Sequence, residues 1–354
     1  MSTFSSILYS ILLFSILVFV HELGHFLAAK AFKVQVNEFA MFMGPAIFKM
    51  KIGETLYSIR CIPIGGYCAM EGEDTDTDNP RSFQKASWWK RLIILIAGAA
   101  MNFIIGLVFF AIVFMPQDTL VSPVISQIEE GCTIEQLQVG DEILKVDGEK
   151  IYVLSDFSTI LYLNGGTNHD LVVLRNGEKV VLDDVPMETH TFTKDDGTTE
   201  ERYGIVFSQY KPNIFEKLAY VWNYTIDNVR NVRLSLQMLF TGRAGLGEVS
   251  GAVGIVDMMS TAASGSESWL EAMTTILYFG GFLAVNLAVM NLLPIPALDG
   301  GRVVALLLTT GIQAITKKKI DPKYEGYIHA AGMILLLLLM AIITFKDIFT
   351  IFKR

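Results

Sequence analysis

Long apolar runs alternate with polar sections along this chain. Four of these runs are long enough to cross a bilayer, because a helix of about 20 apolar residues spans the hydrocarbon core. They lie at about 5–28, 91–115, 274–310 and 328–350. Between the second and third runs, short stretches alternate apolar and polar residues and are bounded by turn signals such as Asn176-Gly177, a pattern typical of strands joined by tight turns. This pattern predicts a polytopic α-helical membrane protein of about four transmembrane helices with an inserted β-rich domain.

The composition is also that of a membrane protein. Of 354 residues, 52% are hydrophobic and 18% charged, and the mean hydropathy is +0.44, which is far more apolar than a typical soluble domain. No basic region precedes the first run and no small-residue cleavage site follows it, so we expect a retained helix rather than a signal peptide. We expect the apolar runs to contact membrane lipid, and we expect no nucleic-acid partner for a chain with a net charge of −8.

The distribution of charge predicts the orientation. The section from Gln117 to Glu271 contains 24 acidic and 11 basic residues. Basic residues cluster instead in the loop after the third run and around the first loop: Lys317, Lys318, Lys319 and Lys323, and Lys30, Lys33, Lys90 and Arg91. Lysine and arginine in short loops favour the cytoplasmic side. We therefore expect a multi-pass protein of the cell membrane whose N-terminus and inserted domain are extracytoplasmic.

The first apolar run ends in the motif HELGH, residues 21–25. On a helix, His21 and His25 project from one face and can hold the same metal ion, while Glu22 lies about 100° further round. Two imidazoles beside an unligated carboxylate that handles the proton of an attacking water are the arrangement of a zinc metalloprotease. The alternative, polar residues at a helix end by chance, is disfavoured by the cost of ionisable groups in a bilayer. The other histidines have no evident partner and are expected to be surface or packing residues: His169, His190 and His329.

A third metal ligand is needed, because catalytic zinc normally takes three protein ligands. Asp299 is the only acidic residue between Glu271 and Asp321, and it follows Pro294 and Pro296. Prolines interrupt a helix and leave backbone groups that lipid does not tolerate unless protein or a water-filled cavity surrounds them. The broken third run therefore indicates a site, with Asp299 as the candidate ligand. The alternative is an isolated loop acid near the membrane interface.

These motifs resemble those of the site-2 protease family of intramembrane zinc metalloproteases, especially its bacterial RseP-like branch. The resemblance rests on HELGH in the first run, NLLPIPALDG (291–300) in the third, and the domain between the second and third runs. GGYCAMEGE (65–73) is similar to the membrane-associated β-loop of that family. The resemblance implies Zn²⁺ bound by His21, His25 and Asp299, Glu22 as the catalytic acid/base, and localisation in the bacterial inner (plasma) membrane. Substrate-binding roles are implied for Asn291, Pro294, Gly66 and Tyr67.

The inserted section resembles a single PDZ domain in VGDEILKVDGEKI (139–151) and LVVLRNGEKVVL (171–182). Such a domain can capture a chain end by strand addition, exclude bulky ectodomains, or be only a spacer. The glycine content of GLGEVSGAVGIV (245–256) predicts no stable helix there. In the second run, Gly98, Asn102 and Gly106 recur every fourth residue, which predicts a face for close helix packing.

The predicted organisation follows from these features. It comprises a first transmembrane helix with HELGH at 1–33, a cytoplasmic-side β-loop region at 34–90, a second transmembrane helix at 91–116, a PDZ-like domain at 117–210, an amphipathic and Gly-rich membrane-associated segment at 211–272, a third transmembrane segment at 273–312, and a cytoplasmic basic loop with a fourth transmembrane helix at 313–354.

The leading hypothesis is an intramembrane zinc endopeptidase that cuts within or near the transmembrane segments of single-pass membrane proteins. The resemblance implies regulated intramembrane proteolysis of anti-sigma factors or signal-peptide remnants, after an upstream site-1-type protease. The alternative is a non-catalytic membrane scaffold that binds chain ends through its PDZ-like domain. A metal transporter is a third hypothesis. Glu22 favours the enzyme, because a structural metal site needs no free carboxylate, and the nearly uncharged spans disfavour the transporter.

Overall fold

The computed structural model describes residues 3–73, 75, 77–129, 132, 134–193, 199–242, 245, 251–317 and 322–353. The chain divides into two compact units, one formed by Met1–Phe110 and Ala244–Arg354 and the other by Ala111–Arg243. In chain order the helices are α1 (Thr3–Ala31), α2 (Trp88–Phe114), α3 (Leu154–Asn164), α4 (Ile214–Thr241), α5 (Ala252–Ser264), α6 (Trp269–Asn291), α7 (Asp299–Thr316) and α8 (Pro322–Lys353). The strands are β1 (Val36–Ile52), β2 (Thr55–Met70), β3 (Leu120–Ile128), β4 (Glu142–Val146), β5 (Glu149–Lys150), β6 (Asn168–Arg175), β7 (Glu178–Pro186), β8 (His190–Thr193), β9 (Thr199–Arg202) and β10 (Ile205–Tyr210).

Four of the helices are long and apolar enough to cross a membrane. In the described part of the chain these spans are Leu8–Ala31, Trp88–Phe114, Trp269–Asn291 and Gly326–Thr350. The strand-rich section lies in the sequence between the second and third of them. This order is that of a multi-pass membrane protein with an inserted β-rich domain, as the sequence predicts.

Helix α1 is held in the first unit by apolar contacts. Leu13 and Leu17 are buried in a cluster with Met259 of α5 and Ile276 of α6. Nearer the end of α1, Ala29 joins a second cluster that contains residues of β1, β2, α2 and α7. Since burying a large aliphatic side chain contributes about 1.5–3 kcal/mol, these clusters fix the helix that carries HELGH.

Strands β1 and β2 fold into a small sheet in which β2 bends back on itself. Residues 36–41 pair antiparallel with 66–70 on one side, as in Ala40 opposite Tyr67, and lie beside 56–59 on the other, as in Ala40 opposite Ser58. Gly44, at φ +84°, lies in the bend of β1, where a side chain would be strained. Among the described residues, 66–70 is paired along one side only. It is therefore an edge strand.

The second unit is built around an antiparallel sheet and the long helix α4. The strand order is β10-β3-β4-β6-β7, with β5 paired to β4, and its core includes Ile143, Phe157 and Leu171. Arg230 of α4 contacts the buried carboxylates of Asp156 and Asp227. Burial, followed by the neighbouring Asp156, raises the pKa of Asp227. Because a buried arginine is costly without partners, this cluster fastens α4 to the strand-rich domain.

The Gly-rich segment differs in part from the prediction. Residues 246–250 lie outside the described residues, but α5 begins at Ala252, so the expectation that no helix forms is wrong for its second half. The reason lies in α8, where the buried Asp347 accepts hydrogen bonds from the N–H groups of Gly251 and Gly254, each at 2.9 Å. A carboxylate at a helix N-terminus pairs free N–H groups and complements the helix dipole. A distant side chain thus stabilises a helix that its own sequence does not favour.

Candidate metal centre

The two histidines of HELGH face the same point because they lie one turn apart on α1. Both are buried, with 9% of His21 and 7% of His25 exposed. Their Nε2 atoms are 3.3 Å apart and the two rings are nearly perpendicular, at 84°. The lone pairs of two imidazoles therefore converge on one side of the helix.

Asp299 reaches the histidines through a break in the third apolar run. Helix α6 ends at Asn291, and α7 begins at Asp299 after the turn that contains Pro294 and Pro296. One carboxylate oxygen, Oδ2 of Asp299, lies 3.1 Å from His21 Nε2 and 3.2 Å from His25 Nε2. The structure brings Asp299 next to two histidines that lie about 275 positions earlier in the sequence.

The donor set fits a zinc ion. The three candidate ligand atoms lie within 4.8 Å of one another. Among the histidines, cysteines and acidic residues of the described part of the chain, these three have the geometry to hold a metal ion. Asp299 Oδ2 is buried and has no hydrogen-bond donor among the described residues. Converging lone pairs repel one another unless a cation lies between them. Two imidazole nitrogens and one carboxylate oxygen are a ligand set of catalytic zinc, which keeps a fourth position for water or substrate.

Hydrogen bonds around the histidines set which nitrogen faces the metal position. His25 Nδ1 lies 2.8 Å from the carbonyl oxygen of Ile94 in α2, so Nδ1 carries the proton and Nε2 keeps its lone pair. His21 Nδ1 lies 3.4 Å from the side-chain amides of both Asn102 and Asn291. With Nε2 toward the metal, Nδ1–H needs an acceptor. Either amide supplies one when its oxygen faces the ring, since the oxygen and nitrogen of an amide occupy equivalent positions.

Asn102 is the residue that the motif-based reasoning missed. It is 1% exposed in α2, and its Oδ1 has no hydrogen-bond partner among the described residues. The four-residue spacing of Gly98, Asn102 and Gly106 predicts only a helix-packing face for it. A carboxamide in the middle of an apolar span is costly unless it has a partner, and this signal was available in the sequence.

Glu22 lies beside the three candidate ligands and is not part of their group. It is partly buried on α1, and a Cβ atom placed on Gly66 would lie 3.5 Å from Glu22 Cγ. The edge strand 66–70 therefore passes directly by this carboxylate. A free acid next to a metal position and an open strand edge can exchange protons with water and with a bound peptide.

The other predicted substrate-binding residues lie near this edge or at the helix break. Tyr67 contacts Arg60, whose guanidinium donates to Glu38 at 2.7 Å and to the Gly44 carbonyl at 2.6 Å. This network holds the edge strand in shape. Pro294 is exposed at the break.

His169 and His329, for which the sequence shows no evident partner, each have one in the structure. His169 Nδ1 lies 2.7 Å from Asp147 Oδ2 within the strand-rich unit. His329 Nδ1 accepts a hydrogen bond from the N–H of Ala297, which lies two residues before Asp299. The sequence does not reveal these partners, because they lie far away in the chain and become neighbours only when it folds.

Comparison with known proteins agrees with this chemistry. The model of peptidase family M50 matches residues 9–339. A protein named as a zinc metalloprotease in Clostridium acetobutylicum is 38% identical, with 98% of each chain covered. A similarly named protein of Fusobacterium nucleatum is 33% identical over 98% of this chain and 99% of its own. The regulator of sigma-W protease RasP of Bacillus subtilis is 27% identical over 97% of this chain and 98% of its own.

These matches confirm the predicted activity and cofactor. The family model covers most of the chain, and the relatives named zinc metalloprotease match it from end to end. The protein is an enzyme, a membrane zinc metalloprotease. The chain belongs to peptidase family M50, the site-2 proteases, which cleave peptide bonds within the membrane.

Proposed function

We propose that His21, His25 and Asp299 hold the catalytic zinc and that Glu22 is the acid/base. The observation that carries this proposal is the convergence of two Nε2 atoms on a buried carboxylate oxygen without a donor, with Glu22 alongside. Bound zinc supplies a Lewis acid that polarises a carbonyl and makes water more acidic. Glu22 then takes the proton from the attacking water and delivers it to the leaving nitrogen of the cleaved peptide bond.

The substrate is proposed to bind as an extended strand beside 66–70. A helical peptide bond hides its carbonyl group, so a transmembrane helix must unwind before water can attack it. An unwound segment in lipid needs hydrogen-bond partners for its backbone, and an open strand edge provides them. Gly66 allows close approach next to Glu22, and Tyr67 is held by Arg60. Pro294 keeps the third run open at the level of the site.

Asn291 is proposed to contact the unwound substrate with its side-chain amide. An amide both donates and accepts hydrogen bonds, so it can pair with an exposed peptide backbone. Its Nδ2 atom lies 3.4 Å from His21 Nδ1, the same distance as that of Asn102. Asn102 is buried, whereas Asn291 is partly exposed at the helix end. This difference in exposure favours Asn102 as the support of His21 and Asn291 as the substrate contact.

A pair of matched variants tests these two roles. We expect purified Asn291→Leu to keep its zinc and to cleave a single-pass membrane substrate about tenfold or more slowly, the loss of a hydrogen bond worth about 1.5–3 kcal/mol. Asn102→Leu removes the acceptor for His21 and should lower zinc affinity about 10–100-fold. Zinc content, chelator competition and substrate cleavage are measured for both. Zinc loss from Asn291→Leu as large as that from Asn102→Leu contradicts the substrate role, and a wild-type enzyme that cuts no membrane substrate contradicts the proposed function.

The natural substrates are proposed to be single-pass membrane proteins such as anti-sigma factors. The Bacillus subtilis relative is named regulator of sigma-W protease, and the covered length of both chains is nearly complete. We infer that an upstream site-1-type protease first removes the external part of the substrate. The strand-rich section, proposed to be a PDZ-like domain at 117–210, then binds the new chain end or excludes substrates with large ectodomains.

The proposed orientation has the N-terminus and the strand-rich domain outside the cytoplasm and the region 34–90 inside. Three cysteines offer reporters: Cys61 is exposed, Cys132 is partly buried and Cys68 is buried. Burial raises the pKa of the Cys68 thiol, so it forms little reactive thiolate. Cys61 is therefore the reporter for the inside.

Cysteine labelling of intact cells tests the orientation. We expect a membrane-impermeant maleimide to label Cys132, and an exposed Lys179→Cys variant more strongly, because basic loops keep the opposite side in the cytoplasm. Cys61 should be labelled only after the membrane is opened. The reverse result, with Cys61 labelled in intact cells and position 179 protected, inverts the proposed orientation.

A further inference from the structure

The turn that delivers Asp299 to the metal position has an unfavourable backbone conformation. Ala297, two residues before Asp299, has φ +86°. A residue with a Cβ atom rarely adopts a positive φ, because the side chain crowds its own backbone. Such a conformation persists only when the surrounding structure holds it in place. The question is which contacts hold this turn.

Helix α8 contacts the turn at Pro296 and Ala297. The N–H group of Ala297 donates a hydrogen bond to His329 Nδ1 at 3.1 Å. One turn further along α8, a Cβ atom on Gly332 would lie 2.4 Å from Pro296 Cβ and 2.6 Å from the Pro296 carbonyl oxygen. Only glycine allows α8 to approach the turn so closely. Residues 329 and 332 lie on the same face of the helix.

This contact is local and specific. From Gly326 to Lys346, no residue of α8 is buried in the described structure. The helix is therefore not held against the turn by a broad apolar core. The hydrogen bond to Ala297 and the close approach of Gly332 to Pro296 fix one backbone geometry of the turn. General apolar packing is less directional and would not fix it.

We infer that His329 and Gly332 are positioning residues for the third zinc ligand. His329 holds the N–H of Ala297, Gly332 makes room for Pro296, and together they fix the direction in which α7 starts and Asp299 projects. His329 acts on Asp299 through the backbone of the turn. This inference rests on the proposed zinc site and assigns to α8, which lies outside both sequence motifs, a part in forming it.

Substitutions at position 329 test the hydrogen bond. His329→Leu removes the acceptor, and we expect zinc affinity to fall about 10–100-fold, the usual cost of losing a group that orients a metal ligand. His329→Asn keeps an acceptor close to the position of Nδ1 and should retain nearly normal affinity. Purified full-length variants are compared by chelator competition and by the visible absorption of Co²⁺ in the same site. The Co²⁺ spectrum changes when the geometry of the metal ligands changes. A general loss of protein stability does not change the spectrum of the folded protein.

A double variant tests the link to backbone strain. Glycine adopts a positive φ without cost, so Ala297→Gly should reduce the dependence of the turn on His329. We expect Ala297→Gly combined with His329→Leu to recover most of the zinc affinity lost in His329→Leu. Equal affinities for His329→Leu and the double variant overturn the role assigned to the strained turn.

Glycine substitutions on α8 provide a matched pair. The methyl group of Gly332→Ala would overlap with Pro296, whereas no atom lies within 4 Å of the methyl group of Gly326→Ala. We expect weaker zinc binding and a changed Co²⁺ spectrum for Gly332→Ala, and no change for Gly326→Ala.

Asp299→Ala is the reference variant that separates the proposed zinc site from the positioning role of α8. Normal zinc affinity in Asp299→Ala overturns the zinc site and, with it, this inference. Zinc loss in Asp299→Ala with unchanged affinity and spectra in His329→Leu and Gly332→Ala overturns the inference and leaves the proposed function intact.

Discussion

Glu22→Gln is expected to bind zinc as the wild type does and to lose cleavage of a membrane substrate by about 10²–10⁴-fold, the usual contribution of a general acid/base. Glutamine has nearly the same size and shape as glutamate but cannot take up a proton from water. Glu22 lies outside the group formed by His21, His25 and Asp299, so its replacement leaves the ligands in place. The measurements are zinc content per chain and the single-turnover cleavage rate of the purified protein.

Ligand variants provide the comparison for this result. His21→Ala, His25→Ala and Asp299→Ala each remove one atom from the converging set and should lower zinc occupancy as well as cleavage. Removal of zinc by a chelator should stop cleavage by the wild type, and added zinc should restore it. Glu22→Gln that cleaves normally would show that another residue handles the proton, and zinc-replete Asp299→Ala with full activity would show that the third ligand lies elsewhere.

The sequence predicts much of the site because its chemistry is expensive in a membrane. Ionisable residues in an apolar run require partners, so His21, Glu22 and His25 indicate a metal site before any contact is known. The same reasoning makes Asp299 the candidate third ligand, since two prolines and a lone acid in an apolar run indicate a site more readily than an isolated loop acid. These inferences depend on composition and local spacing, which a sequence contains in full.

The supporting contacts could not be predicted in this way, because they join residues that are far apart in sequence. His329 lies 32 positions after Ala297, and Asp347 caps a helix that begins almost a hundred positions earlier. The hydrophobic pattern of α8 is uniform and gives no sign of which face meets the turn. The pairing of β2 with both sides of β1 could not be predicted for the same reason. Alternation of apolar and polar residues predicts strands but not their partners.

On α2, the stripe of Gly98, Asn102 and Gly106 contains one contact that the sequence predicts and others that it does not. The four-residue spacing predicts a packing face, and at Gly106 the structure has one, since Val285 and Gly281 of α6 lie against it. At the other end of the stripe the neighbours are the two histidines proposed to bind zinc. Asn102 faces His21, and Gly98 lies under both rings. The spacing alone does not distinguish helix packing from support of a metal site.

Gly98→Ala is therefore expected to disrupt the metal site, whereas Gly106→Ala should affect only packing. A Cβ atom on Gly98 would lie 2.3 Å from His25 Nε2, the atom proposed to bind zinc, and 2.8 Å from His21 Cε1. Relieving this overlap must move a ligand, and overpacking costs of about 1–3 kcal/mol correspond to roughly 10–100-fold weaker zinc binding.

The comparison of the two glycines separates ligand displacement from loss of stability. A Cβ atom on Gly106 would meet Val285 Cγ2 at 2.7 Å, a comparable overlap far from the histidines. Both variants should unfold at lower temperature, since small residues at helix contacts permit close approach. Only Gly98→Ala should also lose zinc affinity in chelator competition and alter the Co²⁺ spectrum. Equal zinc affinity in the two variants would mean that α2 can shift away from α1 without moving His21 or His25, and that Gly98 serves helix packing alone.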